Sequence, residues 1–329
     1  MNAANDMNEA TVLVEKPGFL STLQDLGRPG LAHQGISASG AADALALRLG
    51  NLLLGNEENA PALEMTLVGG TFIFGGDSMV VLAGADFGAV LDSAPLLPWR
   101  ATVVRRGGSI VLGAARGGAR GYLCVRGGFA VPPVLGSAST HVLTGLGGLG
   151  RPLRAGDRLR LQNTDPPLSP LNLRWLEARR LDPRWLEEQY GLRPLRLTPG
   201  PQLDWFAQSA REKLGESDYE VLEQSNRMGL RLAGPQLERS KPGDLLTEGV
   251  SLGAIQVPEN GQPIILFVEH QTTGGYPKIA NVCSVDMHRL GQLRPRDRVR
   301  FGWVEVKEAH RLFTKREAVL THLRLERRA

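Results

Sequence analysis

Short runs of apolar residues, some alternating with polar ones, recur along the chain and end at glycine-containing turns. Runs of this length and spacing are typical of strands with one or both faces buried. The pattern predicts two series of strands, the first at Thr11–Val14, Thr71–Phe74, Met79–Ala83, Ala101–Val104, Ser109–Leu112, Gly121–Val125 and Arg158–Leu161, and the second at Leu195–Thr198, Ile264–Val268, Ala280–Val285 and Arg298–Val306. We therefore expect a mainly β protein with a few short helices.

One helical pattern interrupts the first series, from about Ala41 to Leu54. Ser39 is available as its N-cap, Asp43 falls in the electropositive first turn, and Gly55 follows the last turn. The helix dipole alone is enough to explain Asp43, so a functional role for this residue needs further support.

A proline-rich segment separates the two series. The prolines between Asp165 and Pro170 block both a helix and a central strand. A polar amphipathic stretch, Leu173–Tyr190, follows and ends at Gly191. We expect an interdomain connector here, with the domain boundary between about Asp165 and Leu195.

The two series also resemble each other. Placing Glu64 over Glu248 aligns the residues that follow without a gap, with Gly69 over Gly253 and a strand after each glycine. Self-similarity of this kind predicts two copies of one β-barrel module. The expected organisation is a disordered N-terminus at 1–10, a first antiparallel barrel at 11–165, a linker and helix at 166–194, a second barrel at 195–308 and a basic C-terminal helix or tail at 309–329.

The composition fits such a protein, because 329 residues with 42% apolar content can bury two cores. The net charge of +4 is small, and we interpret the basic stretch His310–Ala329 as a solvated helix face, with a nucleic-acid or membrane patch as the alternative. Cys124 and Cys283 lie in apolar runs, which predicts buried side chains and no disulfide framework. Neither an apolar signal core nor a membrane-length apolar stretch is present, so we expect a soluble cytoplasmic protein.

The segment of greatest chemical interest is Gln271–Lys278, which follows the apolar run Ile264–Val268. An amide, two hydroxyls, a phenol and an ammonium group flank a glycine pair, where backbone N–H groups can converge on an anion or a carbonyl oxygen. This variety of hydrogen-bonding groups favours a functional loop. The alternative is a hairpin turn without a catalytic role.

Other polar residues lie at tight turns or strand starts. Gly136–Thr140 has three hydroxyl groups, which either a binding role or an ordinary turn or cap explains. Ser225–Gly229 places Arg227 beside a tight turn, which suits fork-like recognition of a carboxylate or phosphate, or a structural ion pair. Glu64 and Glu248 each precede a strand and suit a structural role, accepting backbone N–H bonds that hold a barrel closed.

Several familiar motifs are absent or fail. The glycines at Gly145, Gly147 and Gly150 match a dinucleotide fingerprint in letters, but Arg151-Pro152 follows, so no helix N-terminus is expected there for a pyrophosphate. The chain has no Walker phosphate loop, HExxH, CxxC or GxSxG motif, and its six histidines lack metal-ligand spacing. We therefore expect no dinucleotide fold, serine hydrolase or bound metal.

A longer set of motifs runs in order along the chain: STLQDLGRPG at Ser21–Gly30, SGAAD at Ser39–Asp43, GSAST at Gly136–Thr140, NRMGLRL at Asn226–Leu232, EGVSLGAIQVP at Glu248–Pro258 and QTTGGYPKI at Gln271–Ile279. Together these motifs resemble those of a known family, the biotin-dependent carboxyltransferase-like proteins. The family includes allophanate hydrolase subunit 2 and urea amidolyase-related segments, and the match runs from about Val12 to Val306. Glu269-His270 departs from the family, which has an aspartate ahead of the QTTGG turn, and this leaves the substrate open.

The resemblance implies two cyclophilin-like antiparallel β-barrels and half of an active site, completed by a partner of the allophanate hydrolase subunit 1 type. The motifs are most similar to those of members that hydrolyse 5-oxoproline to glutamate with ATP, together with that partner and a LamB/YcsF-type protein. The resemblance thus implies ATP shared with partner subunits, no nucleic acid and no membrane. Because no AMKM-like segment is present, covalent biotin is not expected on this chain.

The side-chain chemistry and the resemblance together nominate the site. The catalytic candidates are Gln271, Thr272, Thr273, Tyr276 and Lys278, and the substrate-binding candidates are Arg28, Ser39, Asp43, Ser137, Ser139, Thr140, Arg227, Glu248 and Gln256. Two other functions stay open. One is the carboxyltransferase half of a biotin-dependent urea carboxylase or allophanate hydrolase system, and the other is a non-catalytic antagonist of a kinase inhibitor.

Overall fold

The structure is a computed structural model that describes residues 10–162, 176, 179–241, 243 and 245–325. The strands are β1 Thr11–Lys16, β2 Leu20–Gln24, β3 Ala62–Thr66, β4 Thr71–Phe74, β5 Ser78–Asp86, β6 Val90–Leu91, β7 Ala94–Pro95, β8 Thr102–Val104, β9 Ser109–Val111, β10 Gly117–Val125, β11 Arg158–Arg160, β12 Leu195–Pro199, β13 Tyr219–Val221, β14 Gly229–Ala233, β15 Glu248–Gly249, β16 Ala254–Gln256, β17 Ile264–Leu266, β18 Thr273–Gly274, β19 Lys278–Val282, β20 Arg298–Val299 and β21 Phe301–Trp303. The helices are α1 Ala44–Leu53, α2 Pro183–Tyr190, α3 Gln208–Glu216, α4 Met287–Leu290 and α5 Val306–Leu325.

The chain divides into two compact units. The first, unit 1, comprises Met1–Arg28, Ser39–Glu188 and His322–Ala329. It contains a six-stranded sheet of order β11-β1-β4-β9-β6-β7 and a five-stranded sheet of order β2-β3-β10-β5-β8. Apolar residues of both sheets form one buried cluster, including Phe72 and Ile110 from one sheet and Val80 and Leu123 from the other. The sheets therefore pack face to face around a single core.

Unit 2 comprises Pro29–Ala38 and Gln189–Thr321. Its main sheet has eight strands in the order β20-β13-β14-β17-β16-β19-β12-β21, and β12 and β21 run parallel. The two edge strands, β20 and β21, are separated along the chain by Arg300 alone, so the sheet nearly closes into a barrel. A separate two-stranded ribbon, β15-β18, pairs Glu248 with Gly274 and Gly249 with Thr273.

The expectation of a mainly β, largely antiparallel fold is confirmed. The predicted helix is present but shorter, beginning at Ala44. The prediction that Ser39 caps it was wrong, because the side chain of Asp43 accepts the backbone N–H of Ala46 and makes Asp43 the N-cap. Ser39 instead has a left-handed backbone conformation, with φ of 55°.

The gapless alignment of the two strand series does not hold beyond its first residues. Strands β16 and β17 pair with each other, whereas β4 and β5, which the alignment places over them, lie in different sheets. Gly253 has a φ of +82°, while Gly69 is not among the residues with positive φ. The two glycines therefore serve different backbone conformations.

Some expectations fall outside the described residues. The disordered N-terminus expected at 1–10, apart from Ala10, and the proline-rich Asp165–Pro170 lie outside them, as do 173–175, 177 and 178 of the amphipathic stretch that leads to α2. The predicted domain limits stay a prediction. In the part of the chain that the structure describes, no helix combines the length and the apolar character needed to cross a membrane.

Candidate functional site

A cavity of about 670 Å³ opens in unit 2, next to the β15-β18 ribbon. This volume is typical of a small-molecule binding site. The residues that line it are Ala32, His33, Gly35, Pro201, Gly249, Val250, Ser251, Ala254, Thr272, Thr273, Lys278 and Asn281. Three of the five residues proposed as catalytic from the sequence, Thr272, Thr273 and Lys278, therefore line one cavity.

Strand pairing positions the polar side chains of this cavity. Ribbon β15-β18 places Glu248 beside Gly274, and in the main sheet the register of β16 and β19 pairs Gln256 with Lys278. Cross-strand partners have side chains on the same face of a sheet. The site thus depends on pairings between segments that are distant in sequence.

Lys278, which lines the cavity, forms an ion pair with Glu248. The Lys278 ammonium donates to Glu248 Oε1, and Gln202 Nε2 donates to the same oxygen at 2.8 Å. Gln202 is fixed in turn, because its Oε1 accepts the backbone N–H of Lys278 at 3.1 Å. The bond from Lys278, followed by that from Gln202, lowers the pKa of Glu248 from its ordinary value. Lys278 is buried, whereas the Glu248 side chain is 42% exposed.

Gln256 and Gln271 meet beside Gly274. Gln256 is 2% exposed, and its Oε1 accepts a hydrogen bond from Gln271 Nε2 at 3.3 Å. Gln271 itself is exposed at the start of the turn. The two carboxamides therefore join the buried sheet to the loop that leads into the cavity.

The remaining loop residues differ in exposure. Thr272 is half-buried and Thr273 is exposed, and both line the cavity. Tyr276 is 47% exposed and does not line it. The carbonyl of Thr272 accepts the backbone N–H of Val250 at 3.1 Å, which extends the ribbon by one further bond.

Glu269, just before this loop, forms a buried ion pair with Arg227. Arg227 Nε donates to Glu269 Oε1 at 2.5 Å, and both side chains are buried. The neighbouring His270 has its Nδ1 2.6 Å from the carbonyl oxygen of Gln271, and burial lowers its pKa. Glu269 is thus bonded to Arg227, the arginine that the sequence nominated as a substrate-binding residue.

In unit 1, the candidate hydroxyls surround a carboxylate that was not nominated from the sequence, that of Asp25. Asp25 Oδ1 accepts from Ser137 Oγ at 2.5 Å, from Ser139 Oγ at 2.6 Å and from the backbone N–H of Gly27 at 2.8 Å. The other oxygen accepts the backbone N–H of Ala138 at 2.7 Å. Asp25 lies in the STLQDLGRPG motif, which was the only sequence signal for it.

Arg28 and Thr140 adjoin this carboxylate cluster. Arg28 donates to the carbonyl oxygens of Ser139 and Val134, the latter at 3.3 Å. Ser39 Oγ donates to the carbonyl of Thr140 at 3.4 Å. All of these side chains except Val134 are buried. The structure thus brings Arg28, Ser39, Ser137, Ser139 and Thr140 together, with hydrogen bonds inside unit 1.

Glu64 is likewise enclosed. Its Oε2 accepts from Tyr122 Oη at 2.6 Å and from the backbone N–H of Ala42 at 2.8 Å, and Arg120 Nε lies 3.8 Å from Oε1. Burial, and next the negative charge of Glu64, raise the pKa of Tyr122 well above its ordinary value.

His33 is a cavity residue that sequence reasoning missed. It lies in the short segment 29–38, far along the chain from the other lining residues, and no motif distinguishes it. Its Nε2 lies 3.1 Å from Gln34 Nε2. Among the described residues, no three His, Cys, Asp or Glu side chains are grouped so as to hold a metal ion.

Comparison with known proteins places this geometry in context. Residues 34–303 match the family model described as carboxyltransferase domain, subdomain A and B. The chain is 38% identical over 305 residues to the C subunit of 5-oxoprolinase from Haemophilus influenzae, covering 92% of this chain and 94% of the relative. It is 40% identical over 296 residues to the C subunit of 5-oxoprolinase from Escherichia coli, covering 89% and 91%.

A solved structure extends the comparison. The urea carboxylase of Kluyveromyces lactis superposes with a TM-score of 0.86 at 28% identity, over 96% of this chain. The match takes up 29% of that longer protein. The fold and most of the length of this chain thus correspond to one segment of a larger enzyme.

Proposed function

This chain belongs to the family of the carboxyltransferase domain, subdomain A and B, and from that premise we propose that it is a subunit of an ATP-dependent 5-oxoprolinase. The observation that carries the proposal is the coverage of both chains, since the similarity spans 92% of this chain and 94% of the 5-oxoprolinase C subunit from Haemophilus influenzae. The reaction is hydrolysis of the lactam of 5-oxoproline to glutamate.

The cavity of unit 2 is the proposed half-site. An amide is a poor electrophile, and phosphorylation of its carbonyl oxygen by ATP supplies a leaving group for attack by water. Negative charge develops on oxygen atoms in these steps, and preorganised donors lower the barrier most effectively there. Thr272, Thr273 and Lys278 present such donors at one cavity.

The substrate carboxylate requires a separate contact. Arg227 and Arg28, which the sequence nominated, are both buried and hydrogen-bonded within the protein, Arg227 to Glu269 and Arg28 to backbone carbonyls. Binding a substrate through either guanidinium would require these bonds to be replaced. We therefore assign the carboxylate to the exposed side of the cavity, near Thr273 and His33.

The same cavity does not fit the triphosphate of ATP by itself. Lys278 is the one lysine among its lining residues, none of them is an arginine, and Glu248 already neutralises that lysine. Residues 142–150 form turns rather than a loop that begins a helix, so they offer no helix N-terminus to a phosphate group. We propose that partner subunits hold the ATP phosphates and that this chain binds the amide.

The assembly follows from the same relatives. Both 5-oxoprolinase relatives are named as C subunits, which indicates that partner subunits exist, and we propose one of the allophanate hydrolase subunit 1 type and one of the LamB/YcsF type. We also propose that both units are cyclophilin-like barrels. The nearly closed eight-stranded sheet of unit 2 and the two packed sheets of unit 1 support this.

The test is ATP-dependent release of glutamate from 5-oxoproline by this chain mixed with its two partner proteins. The complete mixture should release glutamate, and the chain alone should release little, because it holds half of the site. Turnover by the purified chain without partners would contradict the half-site, and no turnover by any mixture would contradict the activity.

A second candidate is the carboxyltransferase half of a biotin-dependent system. The superposition on the Kluyveromyces lactis urea carboxylase favours it. This candidate predicts transfer of a carboxyl group from carboxybiotin on a separate carrier protein to urea or a related amine. Biotin-dependent, ATP-independent transfer without glutamate release would select this function over 5-oxoproline hydrolysis.

A further inference from the structure

Asn281 is a polar residue of the unit 2 cavity that the proposed reaction does not yet use. It lies on β19 and lines the cavity, as does Ala254, its cross-strand partner on β16. Cross-strand partners have side chains on the same face of a sheet. Asn281 is only half-buried, and the small side chain of Ala254 leaves its carboxamide accessible from the cavity.

The two ends of this carboxamide have different neighbours. Its Oδ1 accepts from Ser251 Oγ at 3.3 Å, and Ser251 also lines the cavity. Its Nδ2 donates to the backbone carbonyl of Pro199 at 3.5 Å, and Pro199 does not line the cavity. Because a backbone carbonyl oxygen only accepts, the nitrogen end faces β12 and the oxygen end faces the cavity.

Asn281 Oδ1 has the capacity for one more hydrogen bond. An amide oxygen has two lone pairs, and Ser251 uses one of them through a long bond. Both bonds of the carboxamide are exposed to solvent, so a ligand can approach without displacing a buried contact. Among the described residues that line the cavity, no other side chain has an amide or carboxylate oxygen, since the remaining polar groups are hydroxyls, an imidazole and an ammonium group.

The groups of a lactam match this set of side chains. A cyclic amide has a carbonyl oxygen, which accepts hydrogen bonds, and a ring N–H, which only donates. Thr272, Thr273 and Lys278 are the proposed donors for the carbonyl oxygen. The ring N–H needs an acceptor of its own, because a polar group that loses water without gaining a partner weakens binding. Asn281 Oδ1 is the acceptor that the cavity offers.

We infer that Asn281 Oδ1 accepts the ring N–H of the substrate amide, and that Ser251 holds the carboxamide in this orientation. The inference rests on the proposed function and adds the residue that selects a cyclic amide with a free N–H. The site should favour a lactam over a ring of the same shape that has a CH₂ group in place of the N–H. Ser251 is a positioning residue, since it acts through Asn281.

The first test uses the complete complex with Asn281→Leu, which removes the acceptor and keeps a similar volume. We expect kcat/KM for 5-oxoproline to fall by roughly 3–10-fold, the effect of one neutral hydrogen bond. The melting temperature should stay the same, because neither bond of the carboxamide is buried. Ser251→Ala should lower kcat/KM by a smaller factor.

An inhibitor without the N–H provides the second readout. The compound 3-oxocyclopentane-1-carboxylate has the ring size, ring carbonyl and carboxylate of 5-oxoproline, with a CH₂ group in place of the N–H. Its inhibition constant should be the same for wild type, Asn281→Leu and Ser251→Ala. An equal loss for this inhibitor and for 5-oxoproline would indicate general damage to the cavity and would overturn the inference.

Asn281→Asp and Asn260→Leu are the matched controls. Aspartate keeps an acceptor oxygen, so the product of kcat/KM and the inhibition constant, which measures the preference for the N–H, should stay close to that of wild type. Asn260 is exposed outside the cavity lining, where its Oδ1 accepts the backbone N–H of Gln262 at 3.1 Å. Asn260→Leu should leave both constants unchanged. An Asn281→Leu variant that behaves like Asn260→Leu would overturn the inference, as would an aspartate variant that loses the preference.

Failure of the proposed function gives a different result. If the wild-type complex does not hydrolyse 5-oxoproline, binding of two neutral rings to this chain decides the matter by ligand-observed NMR titration. Wild type should bind 2-pyrrolidinone more tightly than cyclopentanone, and Asn281→Leu should remove this difference, which supports the N–H site under another activity. Equal binding of the two rings by wild type, or binding of neither, overturns the inference.

Discussion

Glu64 and Glu248, which the sequence alignment places together, have opposite environments. Glu64 is 2% exposed and is enclosed by Tyr122, by the backbone N–H of Ala42 and by Arg120. Glu248 has a 42% exposed side chain and accepts hydrogen bonds from Gln202 and from Lys278, which lines the cavity. The sequence predicted that both acids precede a strand, whereas Glu64 lies within β3 and Glu248 begins β15, and only Glu64 is sealed inside its unit.

The difference separates two uses of a carboxylate. A buried acid whose donors all come from its own unit contributes to the uniqueness and stability of the fold, and its removal leaves those donors unsatisfied. When a partly exposed acid is removed, water can take its place at little cost in stability. The donors that it held can then bind a ligand instead. We expect the same contrast between the Asp25 cluster of unit 1 and the loop at 271–278 of unit 2.

The largest expected effect is on the stability of the sealed site. Glu64→Ala removes the acceptor of Tyr122 and Ala42 and should lower the free energy of unfolding by about 3–5 kcal/mol, the usual cost of breaking a buried charged network. Urea unfolding measures it. Glu248→Ala is the comparison and should cost less than Glu64→Ala, because Lys278 lines the open cavity and water there can solvate its ammonium group once the carboxylate is removed. Equal losses in the two variants would remove the distinction between the sites.

The next largest effect concerns catalysis at the open site. Thr273→Val and Lys278→Met should each lower turnover of the complete complex by roughly 10²–10³ if their donors stabilise developing charge. The free energy of unfolding should change little, because Glu248, the partner of Lys278, can be solvated. Thr198→Val and Lys213→Met, at positions outside the cavity lining, serve as controls. Near-normal turnover in both test variants would show that the loop is a structural hairpin without a catalytic role.

The burial of His288 should also make the stability of the protein depend on pH. Burial lowers its pKa to about 3. The positive charges of Arg316 and Arg289 act in the same direction, whereas the bond to the carbonyl of Gln189 and the negative charge of Asp286 oppose the shift. Because the unfolded chain takes up the proton near pH 6.5, stability is complete above that pH and falls as the pH decreases toward 3. The slope should approach about 1.4 kcal/mol per pH unit from this residue.

His288→Gln checks this assignment. Glutamine can still donate to the carbonyl of Gln189, which His288 Nε2 contacts at 3.0 Å, but it does not titrate. Unfolding free energies measured from pH 7 to pH 5 should fall less steeply in the variant than in wild type. Parallel curves for the two proteins would assign the acid sensitivity to other groups, such as the buried His270.

The smallest expected effect is that of the open ion pair on stability. The pKa of Glu248 is lowered by Lys278, so the pair stabilises the fold above the ordinary pKa of glutamate and this contribution disappears as the pH falls through the lowered value. Glu248→Gln should lower the free energy of unfolding at pH 7 by less than Glu64→Ala does, because the glutamine Oε1 can still accept from Lys278 and Gln202. A larger loss, measured against wild type in the same buffer, would show that this glutamate is as structural as Glu64.

The sequence predicted the strands well because local apolar patterns determine them. The run Thr71–Phe74 is β4 without change, and Leu195–Thr198 lies within β12. The helix start was predicted less well, since Ser39, Asp43 and the glycine between them all offer cap chemistry and backbone geometry decides among them. The single strand expected at Arg298–Val306 is broken at Arg300, where the sheet closes, and α5 begins at Val306.

Only the part of the site that comes from a single segment of the chain could be predicted from the sequence. The motif at 271–278 indicated Thr272, Thr273 and Lys278, which line the cavity. The contacts of Lys278 with Glu248 and Gln202 depend on strand pairing over tens of residues, which no local pattern encodes. Asp25 and His33 were missed for the same reason, because their partners lie far away in the sequence.

The Asp25 cluster has a consequence for the timing of synthesis. Its bonds to Ser137, Ala138 and Ser139 join residues separated by 112, 113 and 114 positions. At a translation rate of about 5–20 residues per second, Asp25 is made roughly 6–23 seconds before the hydroxyls that will surround it. During that interval the carboxylate has only its near neighbours, such as the N–H of Gly27, and water as partners. Unit 1 therefore cannot close around Asp25 until the ribosome has produced most of its strands.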